Sequence, residues 1–167
     1  MGNKILLTLL AATLFTVTAR AQDFEASVRI YPSSWYNGYF EPDLDGAGAS
    51  FAWNPILGNR LRFSLSSEFN VLRARNEFLA GLGVRYELLN RNRLSLSTGA
   101  SLLGGFLLYN PLLAEIGSEA NLRLNYRITP KSAIFLTVGA RYVACPGYRD
   151  YGIWQFNSWP ISIGIEF

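Results

Sequence analysis

The chain has 167 residues, half of them apolar and only 16% charged, which suits one domain with a sizeable core and excludes a disordered polymer. Histidine is absent, which removes the commonest general base and the commonest metal ligand. The formal charge of +3 falls to +1, with 13 basic against 12 acidic residues, once Lys4 and Arg20 are set aside with the N-terminal segment, so no nucleic-acid partner is expected.

Residues 1–21 carry the three parts of a secretory signal peptide: Lys4 as the positive region, an apolar run from Ile5 to Val17, and a small-x-small site at Ala19-Arg20-Ala21. That run is short of the roughly 20 residues a spanning helix needs. Cleavage would leave Gln22 at the start of a single domain, 22–167, and no Cys follows the site to take a lipid anchor. The lone Cys145 cannot close an intrachain disulfide. No later apolar run is long enough for a spanning helix, so any membrane crossing must use strands.

Eight segments then alternate with period two, at about 23–30, 46–53, 61–70, 77–88, 94–103, 114–126, 133–142 and 158–167. In the clearest, Ala114, Ile116, Ala120, Leu122, Leu124 and Tyr126 lie on one face, and Glu115, Glu119, Asn121, Arg123 and Asn125 on the other. The connections 54–59, 89–92 and 129–132 are short and rich in turn formers, whereas 31–45, 71–76, 104–113 and 143–157 are mostly longer. An even number of strands with short turns at one end and longer loops at the other predicts an all-β fold. The expected form is an eight-stranded antiparallel up-and-down transmembrane β-barrel, with both termini at the short-turn, periplasmic end. A lipocalin-like cup or a β-sandwich would share the strand count but would hide its apolar face. Here the inward parity of the strands supplies Glu25, Arg29, Arg62, Glu68, Arg85, Glu87, Glu115, Glu119, Arg123, Arg127, Arg141 and Glu166, six acids and six arginines. A sandwich core could not absorb them, but a polar lumen filled by side chains could pair them, aided by inward glycines.

Aromatics of outward parity sort towards the strand ends, as membrane girdles do. Phe24, Trp53, Phe63, Tyr86, Tyr126 and Phe167 fall at the short-turn end, and Phe69, Phe78, Tyr142 and Trp159 at the long-loop end. The segment from Ser158 to Phe167 places Ile161, Ile163, Ile165 and Phe167 on one face and stops at Phe. It resembles the C-terminal assembly signal of bacterial outer-membrane barrels, which implies recognition by the barrel assembly machinery. With the signal peptide and strand count, the chain resembles the small eight-stranded family that includes OmpX and the OmpA barrel. The resemblance implies an outer-membrane location, surrounded by lipid and lipopolysaccharide, and with the sequence stopping at Phe167 no periplasmic domain is expected after the barrel. A narrower similarity, carried by Gly99-Ala100-Ser101-Leu102-Leu103-Gly104-Gly105-Phe106 and Trp159-Pro160-Ile161-Ser162-Ile163-Gly164, is to TraO-type outer-membrane proteins of conjugative transfer. It implies a place in a DNA-transfer apparatus.

Enzymatic chemistry is not expected. The small-barrel lipid A and phospholipid enzymes resemble one another in using a histidine, and no Gly-x-Ser-x-Gly elbow occurs. No cofactor or metal is expected either, since Glu41, Asp43 and Asp45 read as solvating acids of the first loop. Recognition falls to the aromatic outer loops, with Trp35, Tyr36 and Tyr39 in the first and Tyr148, Tyr151 and Trp154 in the last, facing a protein or glycan partner. The expected role is therefore structural or surface-interacting.

Overall fold

The computed structural model describes residues 24–36, 39–73, 75–108, 112–147 and 155–167. The signal segment 1–21 and the loop residues Tyr148, Tyr151 and Trp154 lie outside them. Among the described residues eleven strands form one sheet: β1 (Phe24–Tyr31), β2 (Ser34–Tyr36), β3 (Tyr39–Glu41), β4 (Gly46–Trp53), β5 (Leu61–Leu72), β6 (Asn76–Arg91), β7 (Leu94–Leu107), β8 (Leu113–Thr129), β9 (Ser132–Ala144), β10 (Gln155–Ser158) and β11 (Ile161–Glu166). Every pairing is antiparallel between neighbours, and β11 pairs with both β1 and β9, which closes the sheet into a barrel.

Eight staves make the wall, because β10 and β11 are one strand. Ser158 opposes Arg141 and Ile161 opposes Val138, so the register on β9 runs unbroken through Trp159 and Pro160. Proline there only withdraws a donor; its carbonyl still accepts from Gly139 N–H at 2.9 Å. On the other edge, β1 pairs with β11 and β2 pairs with β10 in registers one residue apart. The chain bulges at Pro32–Ser33 and rises out of the wall as the β2–β3 hairpin.

The strands outrun their sequence-predicted ends, and the turns shrink accordingly. β6 and β7 close through two residues, with Asn92 at φ 54°, and β8 and β9 close through Pro130 and Lys131. Asparagine tolerates that left-handed conformation, which two-residue hairpins require. The last strand begins at Gln155, inside what reads as the fourth loop, so Trp159 stands near mid-strand and not at its end.

The wall is apolar outside. Leu65, Leu82, Val84, Leu102, Ile116, Leu122, Leu124, Leu136, Val138 and Ile163 are each between 44% and 71% exposed. Such a continuous apolar belt is unstable in water and matches a hydrocarbon surround. Inside, glycine admits close approach. A Cβ on Gly164 would lie 2.4 Å from the Ala26 carbonyl oxygen and 2.5 Å from Phe135 Cζ, so Gly164 leaves the room that the Phe135 ring fills.

Candidate functional site

The inward face of the strands converges on a lumen packed in tiers. In the middle tier, Arg29 and Arg141 hold Glu68 and Glu119 between them. Arg29 Nη1 lies 2.8 Å from Glu119 and 3.1 Å from Glu68, while Arg141 Nη2 lies 2.6 Å and 2.5 Å from the same two carboxylates. Arg141 Nη1 also donates to the Tyr31 hydroxyl at 2.9 Å, and Arg29 Nε to Ser162 at 3.0 Å. The four charges come from β1, β5, β8 and β9, so the tier ties opposite walls together.

The tier nearer the short turns centres on Arg123, which is 1% exposed. Its guanidinium bonds Glu25 and, at 2.9 Å, Glu166, donates to Asn125 at 2.6 Å, and lies 3.5 Å above the Phe135 ring. Arg85 adds to Glu25 at 3.3 Å and Arg62 to Glu166 at 2.7 Å. Within these two tiers each buried charge therefore meets an opposite one with hydrogen bonds, the condition for tolerating it in a dry interior.

Towards the long loops the lumen turns apolar. Leu79, Leu103, Leu107, Val143, Cys145 and Phe156 form one buried cluster, with Tyr36 and Leu113 packed on it. Arg75 covers it, its guanidinium 3.7 Å over the Phe156 ring and 2.9 Å from Glu77, which also accepts from Asn70 at 3.0 Å. Glu115 projects beside this cluster on the rung Leu79–Gly105–Glu115, and both its carboxylate oxygens are buried without a hydrogen-bond partner.

Nine of the twelve sequence-predicted lumen charges thus come together in ion pairs: Glu25, Arg29, Arg62, Glu68, Arg85, Glu119, Arg123, Arg141 and Glu166. Glu115 is in the lumen unpaired. Two are not in the network: Glu87 binds Asn90 at 3.1 Å, and Arg127 is exposed, because both lie where the strands emerge at the short-turn rim. Arg75 and Glu77 take their places, which keeps six acids and six arginines inside. Glu77 shares inward parity with Leu79, Gly81 and Arg85 and was legible from it. Arg75 was not, because it sits in a turn where parity does not apply. The apolar cluster was legible only in part: Leu79 and Leu103 lie on the inward parity of predicted strands, whereas Leu107, Val143, Cys145 and Phe156 fall in segments that read as loops and came into the lumen only because the strands run further than predicted.

Of the predicted girdle residues, Tyr86, Tyr126, Phe167, Phe69, Phe78, Tyr142 and Trp159 are exposed on the outer wall, while Phe24, Trp53 and Phe63 are half-buried there. Phe24 stacks on Phe51 at 5.8 Å, and Phe167 exchanges two backbone hydrogen bonds with Phe24, at 2.9 and 3.2 Å, extending the barrel's closure. Ile163 and Ile165 are exposed beside Phe167, and Ile161 is half-buried.

The predicted loop aromatics divide. Trp35 and Phe40 pair on the outer face of the hairpin at 5.0 Å, and Tyr39 is 77% exposed at its tip. Tyr36 does not face outward, since alternation in β2 turns it in, edge-on to Phe156 at 5.7 Å, with its hydroxyl donated to Asp45. Burial first, and then that hydrogen bond, pushes the Tyr36 phenol well above the ordinary value of 10.0. Asp45 is buried, not solvating, and also accepts from Ser34 at 2.8 Å. Cys145 is buried in the apolar cluster and offers no exposed thiol. Among the described residues no group of acids, cysteines or histidines is arranged to hold a metal ion.

A closed eight-stranded barrel, apolar outside and ionic inside, is the fold of the small outer-membrane barrels. The crystal structure of Neisserial surface protein A is similar at 14% identity and a TM-score of 0.56, over 86% of this chain and 96% of that one. The N-terminal β-barrel domain of Pseudomonas aeruginosa OprF is also similar, at 14% identity and a TM-score of 0.48, over 87% of this chain and 98% of that domain. No family model matches the sequence, and neither does any curated protein.

Proposed function

We propose that the chain is a non-enzymatic outer-membrane barrel, delivered by its N-terminal signal, that presents an aromatic hairpin to a protein or glycan partner outside the cell. The observation that carries this reading is the division of labour within β2 and β3. Ser34 and Tyr36 fix the inner face to Asp45, while Trp35, Phe40 and Tyr39 stand exposed on the outer side. A hairpin held rigid by its inner face loses little entropy on binding, and exposed aromatics are the side chains that anchor interfaces. The side-chain-filled lumen of the described residues supports a scaffold over a pore, and the lack of histidine supports binding over catalysis.

Separation of inner from outer membranes, with gel mobility compared before and after boiling, tests the location; a soluble protein of unchanged mobility would overturn it. Cells displaying the wild type or a Trp35→Ala/Phe40→Ala variant, panned against immobilised glycans and surface proteins, test recognition. Capture by the wild type alone supports the hairpin, and equal capture overturns it. Lipid A and phospholipid profiles should not change on loss of the gene; an altered acyl count would make the protein an enzyme. Reduced DNA transfer between cells would instead favour the transfer-apparatus role implied by the TraO-type resemblance.

A further inference from the structure

Among the described residues an apolar cluster fills the lumen towards the long loops, whereas towards the short turns the lumen opens into a vestibule of about 190 Å³. Five arginines line it, Arg60, Arg62, Arg85, Arg93 and Arg127, against two carboxylates, Glu87 and Glu166. Glu166 is already shared by Arg62 and Arg123, and Glu87 is bound to Asn90. The exposed Arg60, Arg93 and Arg127 have no carboxylate within salt-bridge distance among the described residues. The excess of arginines belongs to this mouth, since every lumen arginine above it is ion-paired and the one charge left unpaired there, Glu115, is an acid.

Two buried groups at the floor make this more than a basic rim. Ser97 is 3% exposed and its hydroxyl has no hydrogen-bond partner, and Arg85 Nε is buried and equally unpartnered although Nη1 of the same guanidinium reaches Glu25. Both residues line the vestibule. A buried donor without an acceptor is a cost that folded proteins seldom leave in place, so the site is short of acceptor oxygens and of negative charge together. A tetrahedral oxyanion supplies both, because it accepts from guanidiniums arriving from several strands and from a hydroxyl below. A carboxylate offers only two oxygens in one plane.

We propose that this vestibule binds a phosphate-bearing anion, with Arg85 and Ser97 at its floor and Arg93 and Arg127 closing over it from the rim. The compartment it samples rests on the membrane orientation proposed above, but the binding does not, and the test is therefore made on the purified barrel. Inorganic phosphate and pyrophosphate are titrated calorimetrically into the barrel in zwitterionic micelles at matched ionic strength. Saturable binding is expected, weakened at least tenfold in Arg93→Gln/Arg127→Gln and in Ser97→Ala, and unchanged in Arg73→Gln at the opposite end. The rim variants touch no ion pair of the lumen, so their barrels should keep the wild-type gel mobility. No saturable heat, equal affinity in the rim variant, or succinate binding as well as phosphate would each overturn the proposal. A response only when phosphatidylglycerol is added to the micelles would also overturn it, placing the phosphate contact on lipid headgroups outside the mouth.

Discussion

Arg123 shows how much a single lumen side chain carries. It meets Glu25, Glu166, Asn125 and the Phe135 ring at once, in a space that Gly164 keeps open for that ring. Arg123→Leu should lower stability by about 3–5 kcal/mol, since it leaves buried carboxylates short of a partner. Leu124→Ala, one residue along but facing lipid, should cost less, because it exchanges lipid contacts only. Urea unfolding of both variants in vesicles measures the difference. Glu115 predicts the reverse sign: with neither oxygen bonded, Glu115→Gln should leave the barrel as stable or more stable, whereas Glu119→Gln should weaken it by breaking the contacts with Arg29 and Arg141. Thermal unfolding of the pair separates a tolerated buried acid from a structural one.

Among the elements, the β2–β3 hairpin is the one added to the barrel plan. Its inner face depends on Asp45, so Asp45→Ala should free the hairpin while the wall stays closed. Limited proteolysis should then cut within the first long loop of a barrel that still shows heat-dependent mobility. The Tyr36 phenol is raised above 10.0 in the folded hairpin, so its contribution is intact below that pH. Above it, the undocked tyrosine ionises while the docked one still holds its proton, and docking weakens as pH climbs towards the raised value. Protease sensitivity should rise in that alkaline window for the wild type and be flat for Tyr36→Phe.

For the whole molecule, the lumen's two fillings act in series. Ionic tiers cross-link the walls nearer the short turns, and the apolar cluster under Arg75 fills the lumen of the described residues towards the long loops. Planar-bilayer recordings should show no steady conductance from the wild type. A large stable current would mean that the tiers part in the membrane and that the same arginines line a channel.

Strand count, barrel closure and the inside-out polarity were determined by the sequence alone, because period-two alternation assigns every side chain to one of two faces and only one face carries charge. That same parity put nine of the paired charges on the right side of the wall. Which charges meet was decided by register across four or more strands, and parity holds no record of register. Arg127 and Glu87 share the inward parity yet stop at the rim, and Arg75, from a turn, reaches in to Glu77. The continuation of the last strand through Pro160, and the hairpin that turns Tyr36 inward, were likewise tertiary decisions. The neighbouring strand supplied partners where local sequence, with its prolines and turn formers, read as loop.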